Sequence, residues 1–281
     1  MPTIDSLELH PRKSVAGDGV TLAVLDVGEG QPVVLLHGFP DSSYLWRRQL
    51  PALVDAGLRV IAPDLRGFGE SERPPEVHDY ALGHSVRDVL AVLDALEVER
   101  AHVVGHDFGA VVAWLVAVSV PERVERLVAM SVGHPNALRQ RTIEQREKGW
   151  YQLLFQFDEA EQLLARDDWK LFREVLHGAG DLDRYIADLS RPGALAAGLG
   201  WYRANLAPAR ELEERPPVPA VSAPTLGLWS SGDRFLAEDG MLRSVEHVSG
   251  PWRYERIDDA SHWLQLDQPE QVNALLIEFL G

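Results

Sequence analysis

The chain has 281 residues and a mass of 31.2 kDa, a length that suits one large domain or two modest ones. Hydrophobic residues make up 46% of it and charged residues 25%, which is ordinary for a globular protein and excludes a disordered, collagenous or low-complexity chain. The formal net charge of -16 argues against binding of nucleic acid or anionic lipid through bulk charge, and the absence of cysteine excludes disulfides, thiolate nucleophiles and cysteine-ligated metals.

Two stretches of the chain bear on its location. Residues 1–10 lack a basic segment followed by an apolar one, so no secretory signal is expected and we predict a cytoplasmic protein. The longest apolar stretch, residues 109–120, has about 12 residues, whereas a helix that spans a bilayer needs roughly 20. This stretch predicts a buried core helix, and no association with a membrane is expected.

β-strand patterns alternate with helical patterns along much of the chain. Residues 33–36 and 103–104 are apolar at successive positions, as expected for parallel strands that helices cover on both faces. The alternation predicts an α/β fold with a mostly parallel, doubly wound sheet. The predicted elements are strands at 20–26, 33–37, 59–63, 102–105, 126–132, 225–229 and 252–257, and helices at 43–56, 85–96, from 108, and at 269–280.

A helical insertion interrupts the predicted sheet. After residue 133 the strand signal stops, and residues 142–206 have helical patterns rich in Glu, Leu, Arg and aromatic residues. The proline-rich segment 215–219 ends the insertion. We therefore expect an α/β core of residues 1–133 and 219–281 that carries a helical cap of residues 134–218.

The most specific local signal is the sequence Gly-His-Asp-Phe-Gly at residues 105–109, between an apolar strand and an apolar helix. It has the form of a nucleophile elbow, a sharp turn that projects one side chain, here Asp107, above the sheet. The alternative is that Asp107 serves only as the N-cap of the helix. A carboxylate is a weak acyl nucleophile, but it can displace a leaving group at saturated carbon and form an alkyl-enzyme ester. Epoxides and alkyl halides are such electrophiles.

Hydrolysis of that ester requires a base that activates water and an acid that orients the base. His262 lies between the last strand and the last helix, where the order nucleophile, acid, histidine places the base. Asp233 follows the strand at 225–229 at the carboxyl edge of the sheet and is the candidate acid. Asp258 and Asp259 are too close to His262 along one loop to be better candidates.

The tetrahedral intermediate of ester hydrolysis also needs hydrogen-bond donors for its oxyanion. The backbone N–H of Phe108, directly after the nucleophile, is one candidate. The second is the backbone N–H of Phe39, in the loop of residues 37–40 that follows the strand at 33–37. That loop taken alone is a weak signal, since it is also compatible with a plain glycine turn.

These residues together resemble a known family, the epoxide hydrolases of the α/β-hydrolase fold. The resemblance extends from about residue 12 to residue 281 and implies a hydrolase that converts a hydrophobic epoxide to a vicinal diol through an aspartyl ester, which His-activated water hydrolyses. The motifs that carry it are at residues 37–40, 63–71, 105–109, 232–233 and 261–263.

The resemblance also implies two tyrosines from the cap. Residues 150–156 and 201–206 look like the two segments that carry them in the family, which identifies Tyr151 and Tyr202 as candidates. Opening of an epoxide leaves an alkoxide, and a phenol with a pKa of about 10 can protonate it while being neutral at pH 7. The alternative is that both are ordinary members of an aromatic cap.

The predicted partners are a small hydrophobic epoxide and water, with no nucleic acid, and no cofactor or metal is expected. The sequence does not identify the epoxide or the oligomeric state. Aromatic residues near the motifs are the candidate substrate contacts: Phe39, Trp150, Phe155, Trp201 and Trp263.

Three other functions remain open. Haloalkane dehalogenases have the same fold and nucleophile, but they need side-chain N–H donors for the halide, typically where this chain has Phe108 and Phe39. Fluoroacetate dehalogenases have arginines one and four residues after the nucleophile, where this chain has Phe108 and Val111. The third is a non-catalytic protein that binds a small ligand on the same fold.

Overall fold

Eight strands form a single sheet in the computed structural model of the protein, which describes residues 10–178, 180–214 and 216–281. The expected absence of a secretory signal concerns residues 1–9, which lie outside these ranges, as does residue 215 of the proline-rich segment; the cytoplasmic location stays a prediction. The strands are β1 (Lys13–Ala16), β2 (Thr21–Val27), β3 (Gln31–Leu36), β4 (Leu58–Pro63), β5 (Ala101–His106), β6 (Val124–Met130), β7 (Thr225–Ser230) and β8 (Trp252–Ile257).

The strand order is β1-β2-β4-β3-β5-β6-β7-β8. β2 is antiparallel to β1 and β4, and all pairings from β4 to β8 are parallel, so the predicted mostly parallel α/β sheet is confirmed. Val33, Val34 and Val104 are fully buried, which explains their continuous apolar runs. Strand β1 was not predicted, because only Val15 among its four residues is buried and no alternation is visible over so short a stretch.

Helices from both ends of the chain cover the sheet. The apolar stretch at 109–120 forms most of α3, where Trp114 is fully buried, so the predicted core helix is confirmed. The predicted helix at 43–56 is divided into a 3-10 helix, Ser43–Arg48, and α1, since Pro51 has no N–H to continue the first helix. The helices of the core are α1 (Leu50–Asp55), α2 (Leu82–Ala95), α3 (Phe108–Ser119), α10 (Glu238–Leu242), α11 (Leu264–Asp267) and α12 (Pro269–Leu280).

Between β6 and β7 the described regular elements are helices, apart from an isolated bridge between Val221 and Val248. We call residues 134–218 of this segment the cap; its separation from the core as a domain stays a prediction. Within the described ranges, no helix of the chain is both long and apolar enough to cross a bilayer. The helices of the cap are α4 (Pro135–Arg139), α5 (Ile143–Lys148), α6 (Tyr151–Leu154), α7 (Ala160–Val175), which has non-helical angles at 166–169, α8 (Leu182–Leu189) and α9 (Ala194–Asn205).

Helix α9 is tied to the core by buried polar contacts. Trp201 donates from its indole Nε1 to the carbonyl of Arg66 at 3.1 Å, and Asn205 donates to the carbonyl of Tyr80 at 2.9 Å. The guanidinium of Arg66 is itself buried and forms two hydrogen bonds with the carboxylate of Asp88, at 2.7 and 2.8 Å. The part of the core whose carbonyl groups accept hydrogen bonds from α9 therefore depends on a buried ion pair.

We expect Asp88→Ala to lower the free energy of unfolding by about 3–5 kcal/mol, because it leaves the charge of Arg66 buried without an opposite charge, with only the carbonyls of Asp79 and Asp18 to accept from it. Urea denaturation measures the change. Lys13→Ala is the control: Lys13 is 53% exposed beside Asp26, and loss of such a pair costs about 1 kcal/mol or less. An equal loss in both variants would contradict the assignment.

Candidate active site

Asp107 lies at a sharp turn between β5 and α3. Its backbone φ of 54° and ψ of −125° are unusual for a residue other than glycine, and its side chain makes no capping hydrogen bond with α3. The neighbouring glycines allow the turn: a Cβ on Gly105 would lie 2.2 Å from the carbonyl oxygen of Gly109, and one on Gly109 would lie 2.1 Å from that of Leu36. The turn thus has the geometry of a nucleophile elbow.

The two oxygens of the Asp107 carboxylate have different surroundings. Oδ1 accepts a hydrogen bond of 2.9 Å from the backbone N–H of Phe39, and the N–H of Phe108 also stabilises the carboxylate. Oδ2 lies 3.6 Å from Nε2 of His262. Oδ1 is therefore held by the backbone N–H of Phe39, and Oδ2 faces the histidine.

His262 and Asp233 form a buried pair beside this carboxylate. Nδ1 of His262 donates to Oδ2 of Asp233 at 2.8 Å, while Oδ1 of Asp233 accepts from the N–H groups of Phe235 and Leu236 at 2.8 and 2.9 Å. Asp258, the neighbouring carboxylate in the His262 loop, instead contacts Arg256 at the surface. The structure thus brings Asp107, His262 and Asp233 together at the carboxyl edge of the sheet.

The neighbouring charges shift the pKa values of His262 and Asp107. Burial lowers the pKa of His262, but the carboxylates of Asp233 and Asp107 outweigh it and raise that pKa to about 10. Burial raises the pKa of Asp107, and the hydrogen bond and charge of His262 outweigh it, so the pKa of Asp107 is lowered. At neutral pH the site therefore holds an imidazolium between two carboxylates.

The cap supplies two buried phenols to the same cavity. Tyr151 begins α6 and Tyr202 lies in α9; their side chains are buried and their ring centroids are 6.0 Å apart. Burial, and the negative charge of Asp107 in addition, raise the pKa of Tyr151 above its usual value, and burial likewise raises the pKa of Tyr202. Both are therefore protonated donors at neutral pH.

The cavity is aromatic, and three of the predicted substrate contacts line it: Phe39, Phe155 and Trp263. The structure does not bring Trp150 or Trp201 to it. Trp150 is 53% exposed, and Trp201 packs behind Phe108 with its ring centroid 5.3 Å away. Each precedes a tyrosine that faces the cavity, and adjacent helical residues point about 100° apart, so only one of each pair can face inward.

Other lining residues have no recognisable sequence signal. Phe235 lies two residues after Asp233, with its ring centroid 5.3 Å from that of His262, and Leu176 follows α7. Both are apolar residues in irregular segments, where no periodicity indicates a direction. Within the described ranges, no group of three or more His, Asp or Glu side chains could hold a metal ion.

The fold and this site define an α/β hydrolase. The sequence pattern of the alpha/beta hydrolase fold family matches residues 31–269, and the chain belongs to that family. It is 36% identical to epoxide hydrolase A of Mycobacterium tuberculosis, covering 94% of this chain and 95% of that one, and 33% identical to human epoxide hydrolase 4, covering 98% and 80%. The crystal structure of epoxide hydrolase A from Mycobacterium thermoresistibile superposes with a TM-score of 0.82 at 32% identity, over 96% of this chain and 98% of that one. Within the α/β hydrolases, the chain belongs to the epoxide hydrolases.

We expect His262 to be an imidazolium up to at least pH 8, because two carboxylates raise its pKa. Asp107→Ala removes one of them and should lower that pKa. Imidazole nitrogen shifts in an NMR titration measure the change. Asp258→Ala, which alters an exposed carboxylate in the same loop, is the control, and a neutral His262 at pH 7 in the unsubstituted protein would contradict the charge assignment.

Proposed function

We propose that this protein hydrolyses a hydrophobic epoxide to a vicinal diol through an ester of Asp107. One observation carries the proposal: a carboxylate on the elbow faces an aspartate-paired histidine and two protonated phenols within one cavity. An acyl substrate would call for a better acyl nucleophile than a carboxylate.

Ring opening is the first half of the reaction. Oδ2 of Asp107 attacks an oxirane carbon, the bond from that carbon to the ring oxygen breaks, and the ring oxygen takes a proton from Tyr151 or Tyr202. Both phenols hold their protons at neutral pH, so each has a proton to give to the ring oxygen, whose alkoxide is a stronger base than a phenolate. Without such donors an alkoxide would form in an apolar cavity.

Hydrolysis of the ester is the second half. His262 takes a proton from a water molecule that attacks Cγ of Asp107, and the backbone donors of Phe39 and Phe108 stabilise the oxyanion that forms at Oδ1. As this intermediate collapses, the bond from Cγ to the ester oxygen breaks, the departing alkoxide takes the proton of the new hydroxyl group on Cγ, and Asp107 is again a carboxylate. A protonated His262 cannot act as this base. Esterification removes the negative charge of Asp107, however, so the pKa of His262 falls. The imidazolium proton passes to the tyrosinate that ring opening leaves, so His262 becomes neutral, and the proton taken from the attacking water restores the imidazolium.

The lining favours neutral, hydrophobic epoxides. Apart from Asp107 and His262, the residues that line the cavity are aromatic or aliphatic, so a charged substituent would find no opposite charge there. A haloalkane fits the site less well, because its halide leaving group needs side-chain N–H donors. The side chain of Phe108, directly after the nucleophile, has no N–H, and Nε1 of Trp263 already donates to Asp41 at 2.8 Å.

Turnover of a panel of terminal, trans-disubstituted and aryl epoxides beside bromoalkanes tests the proposed function. Diol from an epoxide and no halide release is the expected result. Halide release alone would support a dehalogenase. A ligand-dependent rise in melting temperature without any product would support a non-catalytic binding protein.

We expect His262→Gln to accumulate the ester, because Asp107 and the phenols carry out the alkylation, whereas hydrolysis cannot proceed without the base. Intact-protein mass spectrometry after incubation with a substrate epoxide should show an increase equal to one substrate molecule. Asp107→Ala should show no increase and form no diol. An unmodified His262→Gln protein would contradict the assignment.

Tyr151→Phe and Tyr202→Phe should each slow ring opening by roughly 10²-fold, as for the removal of one general acid, and the double variant should be far slower. Single-turnover alkylation rates measure the effect. Tyr254→Phe is the matched control. Tyr254 lies on β8, its hydroxyl group donates to Glu238 at 2.6 Å, and it does not line the cavity. Unchanged alkylation in the double variant would contradict the proposed role.

A further inference from the structure

Helix α5 of the cap contacts the loop that carries Asp233. Nε2 of Gln145 donates to the carbonyl of Phe235 at 2.9 Å, and Oε1 of Gln145 accepts from the N–H of Ala237 at 2.9 Å. One turn later, Nζ of Lys148 donates to the carbonyl of Asp233 at 2.5 Å. Nζ of Lys148 also lies 3.5 Å from the carbonyl oxygen of Leu236, so four backbone groups of residues 233–237 are held by two side chains of one helix.

These contacts fix the part of the loop that sets the direction of the Asp233 carboxylate. Its Oδ1 accepts from the N–H groups of Phe235 and Leu236, so the carboxylate is fixed to the backbone of its own loop. Gln145 and Lys148 hold the carbonyl oxygens of the same backbone. A shift of the loop would therefore move Oδ2 of Asp233 away from Nδ1 of His262, which lies at 2.8 Å.

Helix α5 also leads directly into the segment that carries a candidate proton donor. Gly149 ends α5, where its N–H donates to the carbonyl of Gln145, and Tyr151 begins α6. Phe235, in the loop held by α5, contacts both Tyr151 and His262. Its ring centroid lies 5.5 Å from that of Tyr151 and 5.3 Å from that of His262. The cap and the acid loop are therefore joined at this point.

We propose that Gln145 and Lys148 are positioning residues for ester hydrolysis. They act through the backbone of the Asp233 loop, which orients Asp233 and so holds His262 in the correct tautomer and direction. Neither side chain lines the cavity, so neither is a catalytic residue. The effect on the reaction rests on the proposed function, whereas the effect on the pKa of His262 does not.

The test measures both steps separately in Gln145→Ala and Lys148→Met. Single-turnover rapid quench with a substrate epoxide found in the panel gives the rate of ester formation and the rate of its hydrolysis. We expect hydrolysis to slow by about 10- to 100-fold in each variant, as for small misplacements of a catalytic group, and ester formation to change much less. Lys148→Arg keeps a charged donor and should recover most of the loss.

A control separates this role from a surface ion pair. Lys148 also lies 3.6 Å from Glu144, whose side chain is 65% exposed. Glu144→Gln removes that ion pair without touching the Asp233 loop and should leave both rates unchanged. If Lys148 acted through Glu144, both substitutions would have the same effect, and the proposal would be overturned.

An NMR titration of His262 in the same variants tests the proposal without any substrate. A loosened loop weakens the interaction between Asp233 and His262, so the pKa of His262 should fall in Gln145→Ala and Lys148→Met but not in Glu144→Gln. An unchanged pKa in both variants, or equal loss of both reaction steps, would overturn the proposal. Failure of the unsubstituted protein to turn over any epoxide would reject the proposed function alone, since the titration still decides the role of the two residues.

Discussion

The structure of the site depends on one imidazolium held between two carboxylates in an apolar cavity. His262 lies 2.8 Å from Asp233 and 3.6 Å from Asp107, and burial opposes all three charges unless they stay paired. The pairing keeps Asp107 ionised, as its proposed role of nucleophile requires. It also makes the state of His262 depend on the charge of Asp107, so that a change at one carboxylate alters the proton affinity of its neighbour.

The remaining features of the fold serve to hold this arrangement. The segments that follow the carboxyl ends of four parallel strands, β3, β5, β7 and β8, lie at one edge of the sheet. They contain Phe39, Asp107, Asp233 and His262. The cap closes over that edge with two phenols attached in different ways. Tyr202 lies on α9, which is bound to the core through buried contacts, whereas Tyr151 lies beside α5, which is bound to the loop of Asp233.

Part of the site could be predicted because its signals are local. The two glycines and Asp107 stand within five residues of one another, and the positions of Asp233 and His262 follow from their place after predicted strands. The close approach of Gly109 to Leu36, far away in the chain, is visible only in the structure. Trp150 and Trp201 show the limit of this reasoning. The aromatic segments could be recognised, but which of two adjacent helical residues faces the cavity depends on how the helix packs against the core.

The sequence alone determined the class of fold, the elbow with its carboxylate, and the order of the partner residues along the chain, because apolar periodicity and tight turns are short-range properties. Only the tertiary structure decided that Phe235 and Leu176 line the cavity, that α5 contacts the Asp233 loop, and that one oxygen of Asp107 accepts from the backbone N–H of Phe39 while the other faces His262. These depend on contacts between residues far apart in the chain, where packing and burial, and not local conformation, determine the distance between two atoms.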